Sequence, residues 1–167
     1  MTENPSGPEA GATFGPAREG DLAALVAIDS ESSQPWSAVA FAAELQGGAP
    51  TVFVLRFSGP AIAFVVVRFH VPEMDIVNLV VDGRHRQTGL GRFLLRSVLD
   101  HGARLGVETV FLEVREGNRA ARDLYASLGF RETQKRPAFY NRPVEDAVLL
   151  RLEIAREPGL KGPRNAC

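Results

Sequence analysis

Cysteine is almost absent. The single Cys167 is the last of 167 residues, so no intrachain disulfide forms, which fits a reducing compartment. Only three histidines occur, His70, His85 and His101. They are scattered without ligand spacing, so no structural or catalytic metal is expected. No apolar run approaches the roughly 18 residues that a membrane helix needs. The first residues show no positively charged start followed by an apolar core, and a cytoplasmic location follows by default. Basic charge is not in excess, since the net charge is -1, and nothing global points to nucleic acid. What is present is ordinary for a globular chain: 45% hydrophobic and 23% charged residues, enough to bury one core.

Composition punctuates the chain. Residues 1–12 are rich in Gly, Pro, Glu and Ala and read as a flexible arm, 157–167 read as a flexible tail, and 13–156 read as one domain. Leu22, Leu25, Val26 and Asp29 have helical spacing after Gly20-Asp21. Ser37 is placed to cap a second helix running to Gln46 and stopped by Gly47-Gly48. Thr51–Phe57 and Ala61–His70 read as a hairpin joined through Ser58-Gly59-Pro60, with Asp75–Val81 as a third strand. A helix from Gly89 to Leu105 is expected to bury Leu94, Leu95, Val98, Leu99 and Leu105, with Gly106 ending it. Glu108–Val114 reads as a strand buried on both faces. Asn118 is expected to cap a helix with the stripe Ala121, Leu124, Tyr125 and Leu128. Two further strands, about 130–140 and 146–154, close the domain. The predicted class is α/β, a mixed sheet with helices on both faces.

The run Arg86-Gln87-Thr88-Gly89-Leu90-Gly91 stands between a strand pattern and a helix pattern. Backbone N–H groups at a helix start lack intrahelical partners, and the helix dipole favours negative charge there. Glycine lets a ligand approach the bare backbone. A phosphate-bearing cofactor is the first inference, against the blander reading of a helix start eased by glycine. The run is not a P-loop, since no Gly-Lys-Ser/Thr follows, and it lacks the third glycine of the dinucleotide fingerprint. Arg84, Arg86, Arg92 and Arg96 gather around it.

Glu113 is out of place in an apolar strand. A carboxylate there is costly unless paired or solvated, and it lies at the strand end where open α/β sheets hold ligands. It reads either as an ion-pair partner of Arg115 or another arginine, or as a general base. Tyr125, on the following helix, reads either as a packed ring or as a proton donor to a leaving group. Asn118 is a capping residue that is also placed to contact a cofactor arm.

Together these pieces carry a resemblance. Asn78-Leu79-Val80-Val81-Asp82, Arg86 to Arg92, Leu112-Glu113-Val114-Arg115, Asn118 and Leu124 to Phe130 resemble the GNAT-fold N-acetyltransferases over roughly 13–154. Pro35-Trp36-Ser37, the Leu-Glu-Val-Arg run, the Leu-Tyr-Ala-Ser-Leu-Gly-Phe run and Glu145-Asp146-Ala147 resemble the RimI-type ribosomal-protein-alanine N-acetyltransferases in particular. The resemblance implies the acyl-CoA N-acyltransferase fold, with a mostly antiparallel mixed sheet, and acetyl-CoA as co-substrate. It implies that the backbone of Leu79, Val80 and Val81 pairs with the pantetheine arm. The turn Arg86, Gln87, Thr88, Gly89, Leu90, Gly91 and Arg92 would hold the pyrophosphate, and Asn118 would touch the arm near the thioester. Glu113 would act as general base, through water, and Tyr125 as general acid toward the CoA thiolate. The implied partner is an acceptor protein N-terminus, an alanine of a small-subunit ribosomal protein, with no direct role for nucleic acid or membrane.

The chemistry favours such an acceptor. An α-amine of pKa about 7.8 is roughly 14% neutral at pH 7, and a lysine of about 10.4 roughly 0.04%, a difference of roughly 3.5 kcal/mol. A single carboxylate base suits the former. Two other readings are a GNAT enzyme acting on a small-molecule amine or a broader range of protein N-termini, and a non-catalytic CoA-binding module. One segment departs from the family pattern. Where relatives carry an Arg-Asn-Tyr-Tyr-Pro-like run, this chain has Lys135-Arg136-Pro137-Ala138-Phe139-Tyr140-Asn141. Pro137 removes a backbone donor and is expected to reshape the acceptor groove. Trp36 is expected either to border that groove or to pack in the core.

Overall fold

The β-branched run of residues 61–70 forms a long strand, and the elements around it are short enough for their causes to be read. A computed structural model of the protein describes residues 11–154. These carry seven strands and four α-helices: β1 Thr13–Pro16, α1 Leu22–Asp29, α2 Ala38–Leu45, β2 Val52–Arg56, β3 Ala61–His70, β4 Glu73–Val81, α3 Leu90–Leu105, β5 Thr109–Arg115, α4 Arg119–Ser127, β6 Arg131–Asn141 and β7 Val144–Glu153. Residues 1–10 of the expected arm, and the expected tail, lie outside the described residues. Among the described residues no helix is long and apolar enough to cross a membrane. The backbone forms two compact units, one of residues 11–68 with Ile76–Val98, the other of Phe69–Asp75 with residues 99–154.

In the first unit the strands run in the order β1-β2-β3-β4. β2 pairs antiparallel with β3, with Val54 opposite Phe64. β1 was not predicted. Gly15 and Pro16 lower its intrinsic strand preference, and it exists because β2 supplies the partner. Thr13 lies opposite Arg56 and Pro16 opposite Phe53, and the rings of Phe14 and Phe53 stack at 5.3 Å. The core gathers Leu25, Ile28, Phe41, Val54, Phe64 and Val66, with Trp36 and Val80 packed against it. Trp36 takes the core role of its two expected ones, its ring 5.5 Å from that of Phe41. Ser37 caps α2 as expected, accepting the Ala40 N–H at 3.1 Å.

Asp29 is the one charged or polar residue that is fully buried among the described residues. It accepts the Trp36 backbone N–H at 2.6 Å and the Asn78 amide at 3.3 Å, so it ties the segment after α1 to β4. Asp29→Ala strands both donors, and a loss of about 2–3 kcal/mol is expected in urea unfolding. Asp29→Asn keeps the shape and one acceptor, and should lose less.

In the second unit the start of β4 is followed by β5, β7 and β6. The Pro72 carbonyl accepts the N–H groups of Glu108 and Thr109 at 2.7 and 3.2 Å. β5 and β6 each pair antiparallel with β7. β6 is an edge strand with only Tyr140 better than exposed. The part of helix α3 in the first unit buries Leu90, Leu94, Leu95 and Val98, the i, i+4 stripe expected of one apolar face. Leu105 departs from expectation and is 50% exposed, because the chain turns away there. Gly106 adopts φ 93° and returns its N–H to Ala103 at 3.0 Å, a left-handed helix stop that suits glycine.

Candidate active site

In the first unit, Leu79, Val80 and Val81 are half-buried at the end of β4. The strand stops where the Asp82 N–H bonds to the Ile62 carbonyl at 2.9 Å. Asp82 then accepts the Arg84 N–H at 2.9 Å, and Arg84 Nε and Nη2 return to the same carboxylate at 3.1 and 2.9 Å. These hydrogen bonds hold the Asp82 carboxyl well below the usual carboxylate range. Arg86 is likewise engaged. Its Nε donates to the Val81 carbonyl at 3.1 Å, and its Nη2 lies 2.8 Å from Glu31. Of the four clustered arginines, Arg84 and Arg86 are paired with neighbouring carboxylates, and the backbone of the turn adds donors of its own.

That backbone is left-handed at Gln87 (φ 60°) and Gly89 (φ 87°). The second suits glycine, whereas the first costs a side-chain-bearing residue roughly 1–2 kcal/mol. Thr88 Oγ1 donates to the His85 carbonyl at 2.5 Å. Leu90 is buried and fixes the first turn of α3. Phe93 N–H bonds to the Gly89 carbonyl at 3.0 Å, so the N–H groups of Leu90, Gly91 and Arg92 precede the first intrahelical bond. The turn is exposed and ends in such donors at the positive end of a sixteen-residue helix, an arrangement that favours negative charge.

In the second unit, β5 alternates. Val110, Leu112 and Val114 are buried, while Phe111, Glu113 and Arg115 are half-buried. The expectation of a strand buried on both faces is therefore corrected: Phe111 is apolar, but its face is open, and Glu113 shares it. Glu113 Oε1 lies 2.6 Å from Arg136 Nη1, with the two side chains 28% and 48% exposed. Arg115 serves other groups. It lies 3.3 Å from Glu145, and its guanidinium stands 4.0 Å over the Tyr140 ring. Burial raises the Tyr140 pKa and the charge of Glu113 raises it further, while Arg115 opposes them.

Tyr125 is buried against Phe130, their rings edge-on at 5.6 Å. Burial first, then the neighbouring Tyr140, pushes its hydroxyl up to about 12. Asn118 caps α4, accepting the Ala121 N–H at 3.2 Å. Glu145 also accepts the Gly117 N–H and so holds the turn that precedes this cap. The unit thus brings together Glu113, Tyr140, Arg115 and Arg136, with Tyr125 beneath Tyr140's influence.

The departure at Pro137 has a defined shape. The register of β6 on β7 slips between Arg136 and Tyr140, so residues 137–139 form a bulge. Ala138 is left-handed (φ 49°), and its N–H is held by Asp146 Oδ1 at 2.9 Å.

The sequence pattern of the acetyltransferase (GNAT) family matches residues 22–130. The chain belongs to that family. This acetyltransferase is 37% identical over 138 residues to the [ribosomal protein bS18]-alanine N-acetyltransferase of Escherichia coli strain K12, covering 81% of the chain and 93% of the relative. It is 35% identical over 121 residues to the N-alpha-acetyltransferase RimI of Mycobacterium tuberculosis, covering 70% and 75%. The crystal structure of the ribosomal-protein-S18-alanine N-acetyltransferase from Escherichia coli superposes with a TM-score of 0.80 at 34% identity, covering 90% of this chain and 99% of that one.

Sequence reasoning missed Arg136 as the specific partner of Glu113, and Glu145 and Asp146 as supports of the turn and the bulge. The acetyltransferase carries the last two in Glu145-Asp146-Ala147, a run legible only as a family hint. Arg136 lies across β7 from β5, at a distance in sequence that only the strand register closes.

Proposed function

We propose that this acetyltransferase moves the acetyl group of acetyl-CoA to the α-amine of an N-terminal alanine on a small-subunit ribosomal protein, through one domain spanning 13–156. The similarity over 138 residues to a relative named for that reaction carries the proposal. The geometry supports it at two places. The turn Arg86–Arg92 offers backbone donors to a pyrophosphate, and the end of β4 at Leu79, Val80 and Val81 is assigned to the pantetheine arm. Asn118 is assigned to the arm near the thioester.

The reaction is a direct transfer. The neutral amine nitrogen attacks the thioester carbonyl, the C–S bond breaks, and the CoA thiolate leaves with the electron pair, later taking up a proton from solvent. The proton released from nitrogen passes to Glu113 through water. The Tyr125 O–H is assigned to the departing sulfur. Glu113 is open enough to meet an amine or a water, being 28% exposed.

The test is mass spectrometry of peptides beginning with Ala, Ser or Met, and of an internal-lysine peptide, incubated with enzyme and acetyl-CoA. Acetylation of the alanine peptide at its α-nitrogen is expected. Modification confined to lysine side chains, or turnover of metabolite amines far above any peptide, would overturn the proposal.

A further inference from the structure

We propose that Arg136 is a competing cation: in the free enzyme it pairs with Glu113, and the acceptor's α-ammonium, with the water that relays its proton, competes with it for that carboxylate, so that Arg136 sets acceptor affinity. This rests on the α-amine reading above.

Within this unit, groups near Glu113 come from three strands. On β7 its register partner is Leu149, which is apolar. On β5 the neighbouring Arg115 is directed to Glu145 and the Tyr140 ring. On β6 stand Tyr140, whose proton Glu113's charge helps retain, and Arg136, whose guanidinium is bonded to the carboxylate at 2.6 Å. A cationic acceptor that approaches Glu113 therefore meets Arg136 beside it. Two positive charges held against one carboxylate repel each other, so the two compete for it.

Arg136 is built to yield. Its backbone is fixed, because it is the last regularly paired residue before the bulge and Asp146 holds Ala138 just beyond it. Its side chain is 48% exposed, and a pair this open is weak. The guanidinium also lies 5.6 Å from the Phe139 ring centroid, so a cation–π face remains to it when the carboxylate is taken. The Pro137–Phe139 bulge, where this chain departs from the family pattern, thus supplies both the tether and the alternative seat.

The experiment measures acceptor KM and kcat with an alanine peptide at saturating acetyl-CoA for the wild type, Arg136→Gln and Arg136→Lys, with circular dichroism melts alongside. Arg136→Gln should lower acceptor KM about 5-fold, the upper end for an exposed ion pair, with a smaller change in kcat and none in the KM for acetyl-CoA. Arg136→Lys, still a cation, should stay within about twofold of the wild-type KM. A folded Arg136→Gln enzyme with unchanged or raised acceptor KM overturns the inference.

A second measurement does not depend on that variant folding. The Arg136 Nε–H signal, assigned by its loss in Arg136→Lys, should shift in the wild type when the amine peptide is added, and not with its α-hydroxy analogue. A signal unmoved at saturation overturns the inference. Wild-type turnover with an unmoved acceptor KM removes this inference alone, whereas no turnover of any peptide removes the acceptor reading with it.

Discussion

Glu113→Gln is expected to lower kcat/KM at pH 7 by about 10²-fold or more, equivalent to roughly 2.7 kcal/mol of transition-state stabilisation, while CoA still binds. The substitution keeps the side chain's size and a carbonyl oxygen for Arg136, and removes only the charge and the proton-accepting oxygen. At pH 7 an α-amine is about 86% protonated, so nearly every productive encounter must dispose of a proton, and without Glu113 only solvent takes it. The deficit should therefore narrow as pH rises from 7 to 9, where an amine of pKa about 7.8 becomes mostly neutral unaided. If Glu113 served only as an ion-pair partner, the result would differ. A pair with 28% and 48% exposed side chains contributes about 0–1 kcal/mol, so stability would fall slightly and turnover would hold. Steady-state kinetics from pH 6.5 to 9, with calorimetric CoA binding on the same samples, separate the two. Unchanged turnover at pH 7 discards the base role.

Local signals were legible and register was not. The Gly89 turn, the α3 stripe through Leu94, Leu95 and Val98, the Ser37 cap and the Asn118 cap each depend on residues within a turn or two of one another, and each is where the spacing predicts it. β1 was illegible because Gly15 and Pro16 hide it and only pairing with β2 creates it. The open face of β5 was misread because Phe111 makes the run apolar on both sides, whereas which face is covered depends on what packs there. The partner of Glu113 was legible only as "an arginine". Arg115 is nearest in sequence, but it lies on the same strand face beside Tyr140 and Glu145, and Arg136 is delivered by the β6–β7 register. The arginines around the turn illustrate the same limit. Composition shows four cations near a phosphate motif. In the fold, Arg84 is committed to Asp82 and Arg86 to Glu31 and Val81.

Tyr125→Phe is the second large effect: about a 10²-fold loss of kcat, with little loss of fold, since the ring and its edge-on contact with Phe130 remain. The hydroxyl's pKa is pushed up to about 12 by burial and by Tyr140, whereas an ordinary thiol has about 8.5, so complete transfer of the proton to a departing thiolate is uphill by roughly 5 kcal/mol. Tyr125 is therefore expected to act by donating a hydrogen bond to sulfur as the C–S bond breaks, with the proton staying largely on oxygen. Two measurements follow from that. The deficit of Tyr125→Phe should stay constant from pH 6.5 to 9.5, because the hydroxyl remains protonated throughout, in contrast to the narrowing deficit of Glu113→Gln. Stability supplies the other readout, and its sign is fixed: a folded-state pKa raised above the ordinary value of about 10 leaves stability intact below pH 10 and erodes it as pH climbs toward 12, since the unfolded chain ionises first. Urea unfolding at pH 9 and pH 11.5 should show the wild type losing more than Tyr125→Phe between the two. A Phe variant with wild-type kcat would strip Tyr125 of its role toward the leaving group and leave it a packed ring.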